Sequence, residues 1–462
     1  MIQIKSVIIT EQQKNRILET EENHFMDFKS IDISPAKLTR HIAAFANADG
    51  GELFVGVDED KLSAEHSWRG FSNQEAANAH LEVFERLFPL GQDFTYSFLT
   101  CPKQTGYLLH IEIHKTTDIK YSSDGKIYLR RGAQSLLQDA SEEIERLKLN
   151  KGLTSFEIQT VDADVLSITN STTIIEFLLD VISMAEPEAW LKKQQLIKGG
   201  KPTVAGILLF SEEPQAILPK RCSIKIYRYL TKNIAGSRET LAFDPITIEG
   251  CLYQQIKDAV SKTIEIIEGL TILGPLGFEK AKYPRETLHE IITNAVIHRD
   301  YSIADDIHIR IFENRIEVES PGRLPAHITV TNILSERFAR NGAIVRIINK
   351  FPDPPNKDVG EGLNTAFEAM RKLRLKDPLI EQKENAVIVL IRHEPFASPE
   401  ELVMEYLSKN PQINNSKGRE ISFISSENVM KRVFERLIDQ DLIERIPGLK
   451  GKAIAYRKKE MS

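Results

Sequence analysis

The alternation of apolar and polar residues predicts a strand and a helix near the start of the chain. Residues 25–28 alternate as a half-buried strand, which gives Asp27 and Lys29 a shared face. Ser34 and Pro35 form a helix start, because a side-chain oxygen can cap free amides and proline suits the first helical position. Apolar residues then recur at helical spacing, so we expect an amphipathic helix.

Adjacent glycines at 50–51 predict the end of that helix, since glycine adopts backbone angles that a Cβ would forbid. Residues 52–57 then read as an apolar return strand, which places Asp58 at a strand end. Rigid scaffolds present charged groups at such ends, and carboxylates are ligands for hard divalent cations. We therefore expect Glu22, Asp27 and Asp58 to converge on a metal ion that activates water against a phosphodiester. A solvated acidic surface is the alternative.

The pattern along the whole chain predicts an α+β multidomain protein. The expected domains are residues 1–150, 151–270, 271–396 and 397–462. The expected helices and strands of the first two are a helix at 73–88, strands at 94–98, 107–114 and 126–130 with a hairpin turn at 122–125, helices at 172–185 and 247–267, and strands at 203–210 and 222–229.

A second informative stretch, residues 283–325, predicts a helix followed by two paired strands at 306–313 and 315–319. Glu290 and Asn294 are four residues apart, so they share the side of the helix opposite its apolar stripe. A glycine turn farther along opens another helix, and amides at a helix start can hold phosphate oxygens.

The last predicted domain reads as three helices and a β-hairpin, which is the pattern of a winged helix. Its third helix carries Lys431 and Arg432, and its hairpin carries Lys450 and Lys452. A basic recognition helix and wing predict nucleic-acid binding. Winged helices also serve as dimerisation or docking modules, so that alternative stays open.

Composition narrows the range of functions. A net charge of −6 excludes a uniformly basic nucleic-acid binder, so any contact with a polyanion must be local. Three widely spaced cysteines predict neither a disulfide framework nor a zinc site. No apolar run reaches membrane-spanning length and no secretory signal is recognisable, so we expect a cytoplasmic protein without a membrane partner. No G-x4-G-K-[ST] motif occurs, which excludes a P-loop helicase.

The pattern E-x4-[ED]-F-K followed by FAN-x2-GG-x-L-F-x-G-V-D resembles the Schlafen-type AlbA_2 domain. The resemblance implies a metal-dependent nuclease site at Glu22, Asp27 and Asp58 (or its neighbour Glu59), with Lys29 neutralising the scissile phosphate. Asp27 stands where the family usually has the longer glutamate. Other members of the family are described as nucleic-acid-binding modules. The sequence YLRRG resembles the closing motif of the domain, and its two arginines, Arg130 and Arg131, are candidate phosphate contacts.

Residues 283–370 resemble the GHKL ATP-binding fold, an α/β sandwich, in which Glu290-x3-Asn294 matches the N-box. The resemblance implies that Asn294 coordinates Mg²⁺ and that Glu290 orients the hydrolytic water. Further expected nucleotide contacts are Arg299, Gly322, Gly360 and Gly362. The chain departs from the fold at Ser320-Pro321-Gly322, which replaces the Asp-x-Gly that recognises adenine.

The order of domains (AlbA_2, a middle α/β segment, GHKL ATPase, winged helix) implies an ATP-regulated nuclease that uses Mg²⁺ or Mn²⁺ on DNA or tRNA. An oligomeric antiviral defence effector is the role that this resemblance suggests. The alternative is a non-enzymatic, ATP-responsive DNA-binding regulator. A third hypothesis is a nucleotide-driven machine without nuclease activity.

Overall fold

The computed structural model describes residues 5–60, 65–182, 185–219, 221–274, 277–280, 283–355, 362–373, 375–392, 399–422, 424, 426–447 and 454–459. The chain folds into two compact units. The first unit contains Met1–Gln159 and Gly322–Gly342, and the second contains Thr160–Pro321 and Ala343–Ser462. The four domains expected from the sequence are a finer division, and their boundaries stay predictions.

The first unit is built around a five-stranded mixed sheet. The strands of the unit are β1 Lys5–Ile8, β2 Met26–Lys29, β3 Gly51–Val55, β4 Val57–Glu59, β5 His66–Trp68, β6 Phe94–Thr100, β7 Leu108–Ile113, β8 Ile127–Arg131 and β9 Gln134–Gln138. Its helices are α1 Glu11–Leu18, α2 Pro35–Asn47, α3 Asn78–Arg86 and α4 Ser141–Asn150. The sheet order is β1-β6-β7-β3-β2, with parallel pairing at both edges, while β4–β5 and β8–β9 are separate hairpins.

The predicted strand, helix, turn and strand at the start of this unit are confirmed. The Ser34 side chain accepts a hydrogen bond from the Lys37 amide, which caps α2 with Pro35 in its first turn. Gly50 has a φ of +79°, and a Cβ there would lie 2.6 Å from the Ile113 carbonyl oxygen. Apolar residues of α2 and α3 form the main core against one face of the sheet, and a smaller cluster that includes residues of α1 covers the other face.

The second unit contains a six-stranded sheet in the order β13-β12-β16-β17-β19-β18. The strands of the unit are β10 Ile197–Lys198, β11 Lys201–Pro202, β12 Ile224–Arg228, β13 Ile246–Ile248, β14 Thr271–Gly274, β15 Gly277–Lys280, β16 Ile307–Ile311, β17 Arg315–Pro321, β18 Leu379–Gln382, β19 Ala386–Arg392, β20 Ile413–Asn414, β21 Ile443–Arg445 and β22 Ala455–Lys458. Its helices are α5 Leu166–Thr169, α6 Thr172–Val181, α7 Pro187–Lys193, α8 Val204–Phe210, α9 Pro214–Ile217, α10 Leu252–Glu268, α11 Arg285–Ile297, α12 Gly342–Ile348, α13 Gly362–Lys372, α14 Pro399–Lys409, α15 Asn415–Ser422 and α16 Glu427–Asp439. Within the described ranges, no helix is long and apolar enough to cross a membrane.

The last part of this unit has its own apolar core, formed by three helices and a small sheet. The helices are α14, α15 and α16, and the sheet order is β20-β22-β21. The three predicted helices and the hairpin strands are therefore present. The assignment of this part as a winged helix stays a prediction, and the turn of its hairpin lies outside the described residues.

The helix predicted at 247–267 begins only at Leu252, because Ile246–Ile248 form strand β13. Two further predictions of secondary structure are wrong. Residues 203–210 form helix α8 instead of a strand, capped by the Thr203 side chain, which accepts from the Gly206 amide. Every residue of α8 is buried, so the sequence shows no alternation from which its period can be read. The turn at 122–125 forms, but it does not join a hairpin, because β7 already has β3 and β6 as neighbours and β8 pairs with β9.

Candidate functional site

Glu290 and Asn294 meet on one side of helix α11, as the sequence predicted. The opposite, apolar stripe of the helix is buried, which leaves these two polar side chains partly exposed. The Asn294 side-chain nitrogen Nδ2 donates a hydrogen bond to Glu290 Oε1 over 2.8 Å. This bond orients both groups, and it leaves the amide oxygen of Asn294 as a potential ligand for a cation.

Gly362, the first residue of α13, packs against the Glu290 carboxyl group. A Cβ at this position would overlap the carboxyl oxygens, so the close approach requires glycine. Burial raises the pKa of Glu290, and the hydrogen bond from Asn294 and the charge of His289 only partly offset this rise. A raised pKa makes the carboxylate a stronger base, as a residue that orients a hydrolytic water requires.

The donor set at this position fits a magnesium-bound nucleotide. A carboxylate and an amide oxygen are ligands that Mg²⁺ accepts, and Mg²⁺ usually completes its shell with water and phosphate. Asn294 would hold the metal ion of such a complex, which would supply charge neutralisation at the phosphates, and Glu290 would orient a water beside it. Gly360, also expected here, lies outside the described residues.

Ser320 and Pro321, the first two of the three residues that replace the Asp-x-Gly of the GHKL fold, are held by hydrogen bonds in the second unit. The Ser320 hydroxyl donates to the Ala295 carbonyl oxygen on α11 over 2.7 Å, and the Pro321 carbonyl accepts from the Asp300 amide over 2.8 Å. Gly322 follows with a φ of +112° and is grouped with the first unit. Its predicted contact with a nucleotide stays a prediction.

Arg299 is bonded to backbone groups of the second unit, and its expected phosphate contact stays a prediction. Its side chain is 1% exposed. The guanidinium group donates hydrogen bonds to the backbone carbonyl oxygens of Arg221, Ile303 and Asp305. Because these acceptors hold the guanidinium group inside the second unit, it ties down the chain that follows α11.

Asp27 is the centre of an ionic cluster in the first unit. It is 0% exposed, and its Oδ1 lies 2.5 Å from the ammonium nitrogen of Lys29. Its Oδ2 lies 3.0 Å from His41 Nδ1 and 3.0 Å from a guanidinium nitrogen of Arg130. Both carboxylate oxygens are therefore engaged by side chains of the protein.

Glu22 joins this cluster through the same lysine. Its Oε1 lies 3.1 Å from the Lys29 ammonium nitrogen and accepts a hydrogen bond from the Phe28 amide over 3.1 Å. Burial raises the pKa of Glu22, and the hydrogen bond and charge of Asp27 add to the rise. Burial acts to raise the pKa of Asp27 too, but hydrogen bonds with His41 and Glu22 and the charge of Lys29 outweigh it and lower that pKa far below its usual range.

Asp58, the third expected ligand, belongs to a different set of contacts. It lies on β4 opposite Ser67, and its Oδ2 is 3.4 Å from Arg69, which also pairs with Asp32. Asp27 faces Leu53 in the register of β2 and β3, whereas Asp58 comes after Gly56, where the chain leaves β3. Among the described residues, no group of three or more His, Cys, Asp or Glu side chains is placed to hold a metal ion. The expected three-acid metal site is therefore not formed by these residues.

Lys29 and Arg130, two of the expected phosphate contacts, are bonded to groups of the first unit. The Lys29 ammonium group donates to Asp27, to Glu22 and to the Phe28 carbonyl oxygen. Arg130 is 2% exposed, donates to the Asn23 and Met26 carbonyl oxygens as well as to Asp27, and lies 4.7 Å above the Phe45 ring. The phosphate contacts expected for these two residues stay predictions, and Arg131 is exposed on β8.

His41 is the member of the cluster that the sequence reasoning missed. It lies on α2, immediately before Ile42 of the apolar stripe, and its Nδ1 also approaches the Ser135 hydroxyl at 3.3 Å. Its place beside the apolar stripe of α2 was the only sign in the sequence that it could contact a neighbouring element. The sequence did not show that this neighbour is Asp27 on β2, since no spacing relates α2 to β2.

Basic residues of the C-terminal part are only partly available to a partner. Lys431 and Arg432 are exposed on α16. Arg436, on the same helix, pairs with Glu400. Lys450 and Lys452 lie outside the described residues.

Two protein-family models match this chain. Residues 22–138 match the family described as "Schlafen, AlbA_2", a range that contains Glu22, Asp27 and Asp58. Residues 304–391 match the family described as "Putative ATP-dependent DNA helicase recG C-terminal". This second range contains Gly362 and begins after Asn294. No curated protein matches the chain.

Two solved structures that match the chain do so at low identity and low TM-score. The DIP2311 protein from Corynebacterium diphtheriae is 17% identical, with a TM-score of 0.42 over 97% of this chain and 96% of that chain. The N-terminal domain of a RecG-related protein from Nitrosomonas europaea is 17% identical, with a TM-score of 0.21 over 28% of this chain and 87% of that chain. From the two family matches, the chain is an AlbA_2 domain protein that also carries an ATPase-like domain.

Proposed function

We propose that the chain is a nucleotide-responsive nucleic-acid-binding protein. The observation that carries this proposal is the convergence of Glu290, Asn294 and Gly362 at one position of the second unit. These residues supply a cation ligand, a base of raised pKa and a glycine helix start, which together suit a Mg²⁺-bound nucleotide.

The nucleic-acid partner is supported by the descriptions of the two matched families and by exposed basic residues. AlbA_2 and RecG-related domains are associated with nucleic acids, and α16 exposes Lys431 and Arg432. Because the net charge of the chain is −6, contact with a polyanion requires such local basic surfaces. DNA in contact with α16 is the partner that a winged-helix arrangement would favour.

Nucleotide binding is tested by titrating the full chain with a fluorescent ATP analogue and Mg²⁺. We expect Asn294→Ala to abolish binding and Gly362→Ala to weaken it, since the added methyl group would displace the Glu290 carboxyl group. Glu290→Gln should keep binding but abolish any hydrolysis. Glu286→Gln, an exposed substitution in the first turn of the same helix, is the matched control. Unchanged affinity in Asn294→Ala would show that the nucleotide site is elsewhere.

The response to nucleotide is tested by measuring DNA affinity with and without ATP. The proposal expects the two affinities to differ in the wild type and to become equal in Asn294→Ala. By thermodynamic linkage, DNA must then change the affinity for ATP by the same factor. Equal DNA affinities in the wild type would contradict a regulatory role for the nucleotide. Light scattering of the same samples reports whether the chain forms the expected homo-oligomer.

The alternative function is that of a nuclease. One observation supports it, namely that two of the three expected acids, Glu22 and Asp27, lie next to each other. Labelled DNA and tRNA are incubated with Mn²⁺ and with wild type, Asp27→Ala or Asp58→Ala. We expect no cutting, because the three acids do not form one metal site. Cutting that both substitutions abolish, with binding retained, would establish the nuclease instead. A role in antiviral defence is a further hypothesis that depends on that result.

A further inference from the structure

We propose that Lys29 closes the Glu22–Asp27 pair to divalent cations, so that the first unit has a built-in ammonium group where the AlbA_2 resemblance expects a metal ion. The pair is then a latent metal site that becomes available when the lysine is removed. This inference concerns the first unit alone and does not depend on nucleotide binding by the second.

Lys29 lies between the two acids. Its ammonium nitrogen lies 2.5 Å from Asp27 Oδ1 and 3.1 Å from Glu22 Oε1, and so bridges the two carboxyl groups. It also donates to the Phe28 carbonyl oxygen over 2.7 Å. An ammonium group has three N–H donors, and these three acceptors use all of them. Lys29 is therefore held between the acids and satisfied there.

The other carboxylate oxygen of Asp27 is also occupied by basic side chains. Oδ2 lies 3.0 Å from both His41 Nδ1 and Arg130, and the Arg130 side chain is itself fully buried. Mg²⁺ and Mn²⁺ keep several water ligands and require open carboxylate oxygens. A carboxylate that is buried and surrounded by three basic side chains provides neither space for water nor an open oxygen. A divalent cation at this position would also be repelled by Lys29 and Arg130.

Asp58, the acid that would complete a metal site, is paired with a basic side chain of its own. Asp58 and Asp32 both approach one guanidinium nitrogen of Arg69, with Oδ2 atoms at 3.4 Å and 2.6 Å. A second basic side chain thus neutralises the second pair of acids. In both places the positive charge that a metal ion would supply comes from the chain itself.

The test is a titration of the full chain with Mn²⁺ in the absence of nucleotide, in which the electron paramagnetic resonance signal of free Mn²⁺ is measured. Lys29→Ala should bind Mn²⁺ at least about tenfold more tightly than the wild type, because one repelling charge is removed and two acids are released. Lys29→Arg, which keeps the charge, should behave as the wild type. Asp27→Asn added to Lys29→Ala should abolish the gain.

Two results would overturn the proposal. One is Mn²⁺ binding by the wild type that Asp27→Asn abolishes, since the site would then be open with the lysine in place. The other is a folded Lys29→Ala variant, verified by its near-ultraviolet circular dichroism, that shows no gain over the wild type. If Lys29→Ala does not fold, Lys29→Met is used in its place, because methionine keeps most of the side-chain volume. The titration of the wild type tests the first of the two results independently of either variant.

Discussion

Lys151 is a buried cation whose acceptors are all uncharged. It is 2% exposed, and its ammonium nitrogen donates to the Ala46 and Thr116 carbonyl oxygens, each over 2.6 Å, and to the Thr116 hydroxyl over 3.0 Å. Ala46 lies in the last turn of α2, where a positive charge is favourable. Burial nevertheless lowers the pKa of Lys151 to about 7, and the charge of Lys115 contributes to the decrease.

We predict that the first unit becomes more stable as the pH rises from about 6.5 to about 8.5. In the unfolded chain the pKa of lysine is about 10.4, so above about pH 7 the unfolded state binds more protons than the folded state, and the free energy of unfolding increases by up to about 1.4 kcal/mol per pH unit. Lys115, whose pKa burial lowers to about 8, acts in the same direction.

Urea unfolding of the Trp190→Phe variant measures this effect, because the chain has two tryptophans and Trp68 then reports on the first unit alone. Lys151→Met should flatten the pH profile. Lys148→Met removes a partly exposed lysine that is paired with Glu145, and it should leave the profile unchanged. A wild-type stability that is constant or falls over this range would contradict the prediction.

Single residues also show what the sequence could predict about the sites. The shared face of Asp27 and Lys29 and the side shared by Glu290 and Asn294 follow from strand and helix periods, and both are confirmed. The sequence could not show that Lys29 contacts Asp27 and Glu22. The partner of a lysine depends on its burial and on neighbours such as Arg130, which is far from Lys29 in the sequence.

At the scale of the element, α16 is the helix whose surface bears on nucleic-acid binding. The helix buries one apolar stripe in the core, which leaves Lys431 and Arg432 exposed. The buried residues of this stripe are Met430, Val433, Phe434 and Leu437. Arg436 is less available, since it pairs with Glu400. The helix therefore offers two adjacent cations for phosphate contacts.

We predict that Lys431→Ala with Arg432→Ala weakens DNA binding. Each lost phosphate contact should reduce the slope of log affinity against log salt by about 1, so the double variant should lose about 2. Affinity measured by fluorescence anisotropy at several salt concentrations checks this. Lys409→Ala, an exposed lysine on α14 paired with Glu405, is the control for net charge. An unchanged slope in the double variant would place the nucleic-acid contact elsewhere.

The elements that sequence patterns identified best are those with one exposed side. Helix α16 buries a stripe and exposes the rest, whereas α2 and α11 are mostly buried but keep partly exposed polar residues, so the periods of all three are readable. Helix α8 is buried on all sides and was mistaken for a strand. The pairing of β8 with β9 was missed for a different reason, because strand partners depend on which sheet edges are free.

At the scale of the whole molecule, the first unit is built from two separate parts of the chain. Residues 322–342 return to it after β17. Arg323 pairs with Asp49, and the Lys115 ammonium group donates to the Leu324 and Ile328 carbonyl oxygens over 2.8 Å and 3.1 Å. A linear reading of the sequence places these residues in a nucleotide-binding domain, since no local pattern indicates contacts with residues hundreds of positions earlier.

This return segment predicts that residues 1–159 alone form a less stable domain than residues 1–159 joined to 322–342 by a flexible linker. Without the segment, the Lys115 ammonium group loses its two carbonyl acceptors, and each lost hydrogen bond costs about 0.5–1.5 kcal/mol. Asp49 loses Arg323 and keeps His24, which lies 2.8 Å away, and the Asn150 carbonyl loses the Ala326 amide. The joined fragment should therefore unfold at higher urea concentration, as monitored by Trp68 fluorescence.

Arg323→Ala in the joined fragment should remove part of the gain, whereas Arg337→Ala, an exposed residue of the same segment, should not. Equal unfolding midpoints for the two fragments would show that the segment is not required for the fold of the first unit.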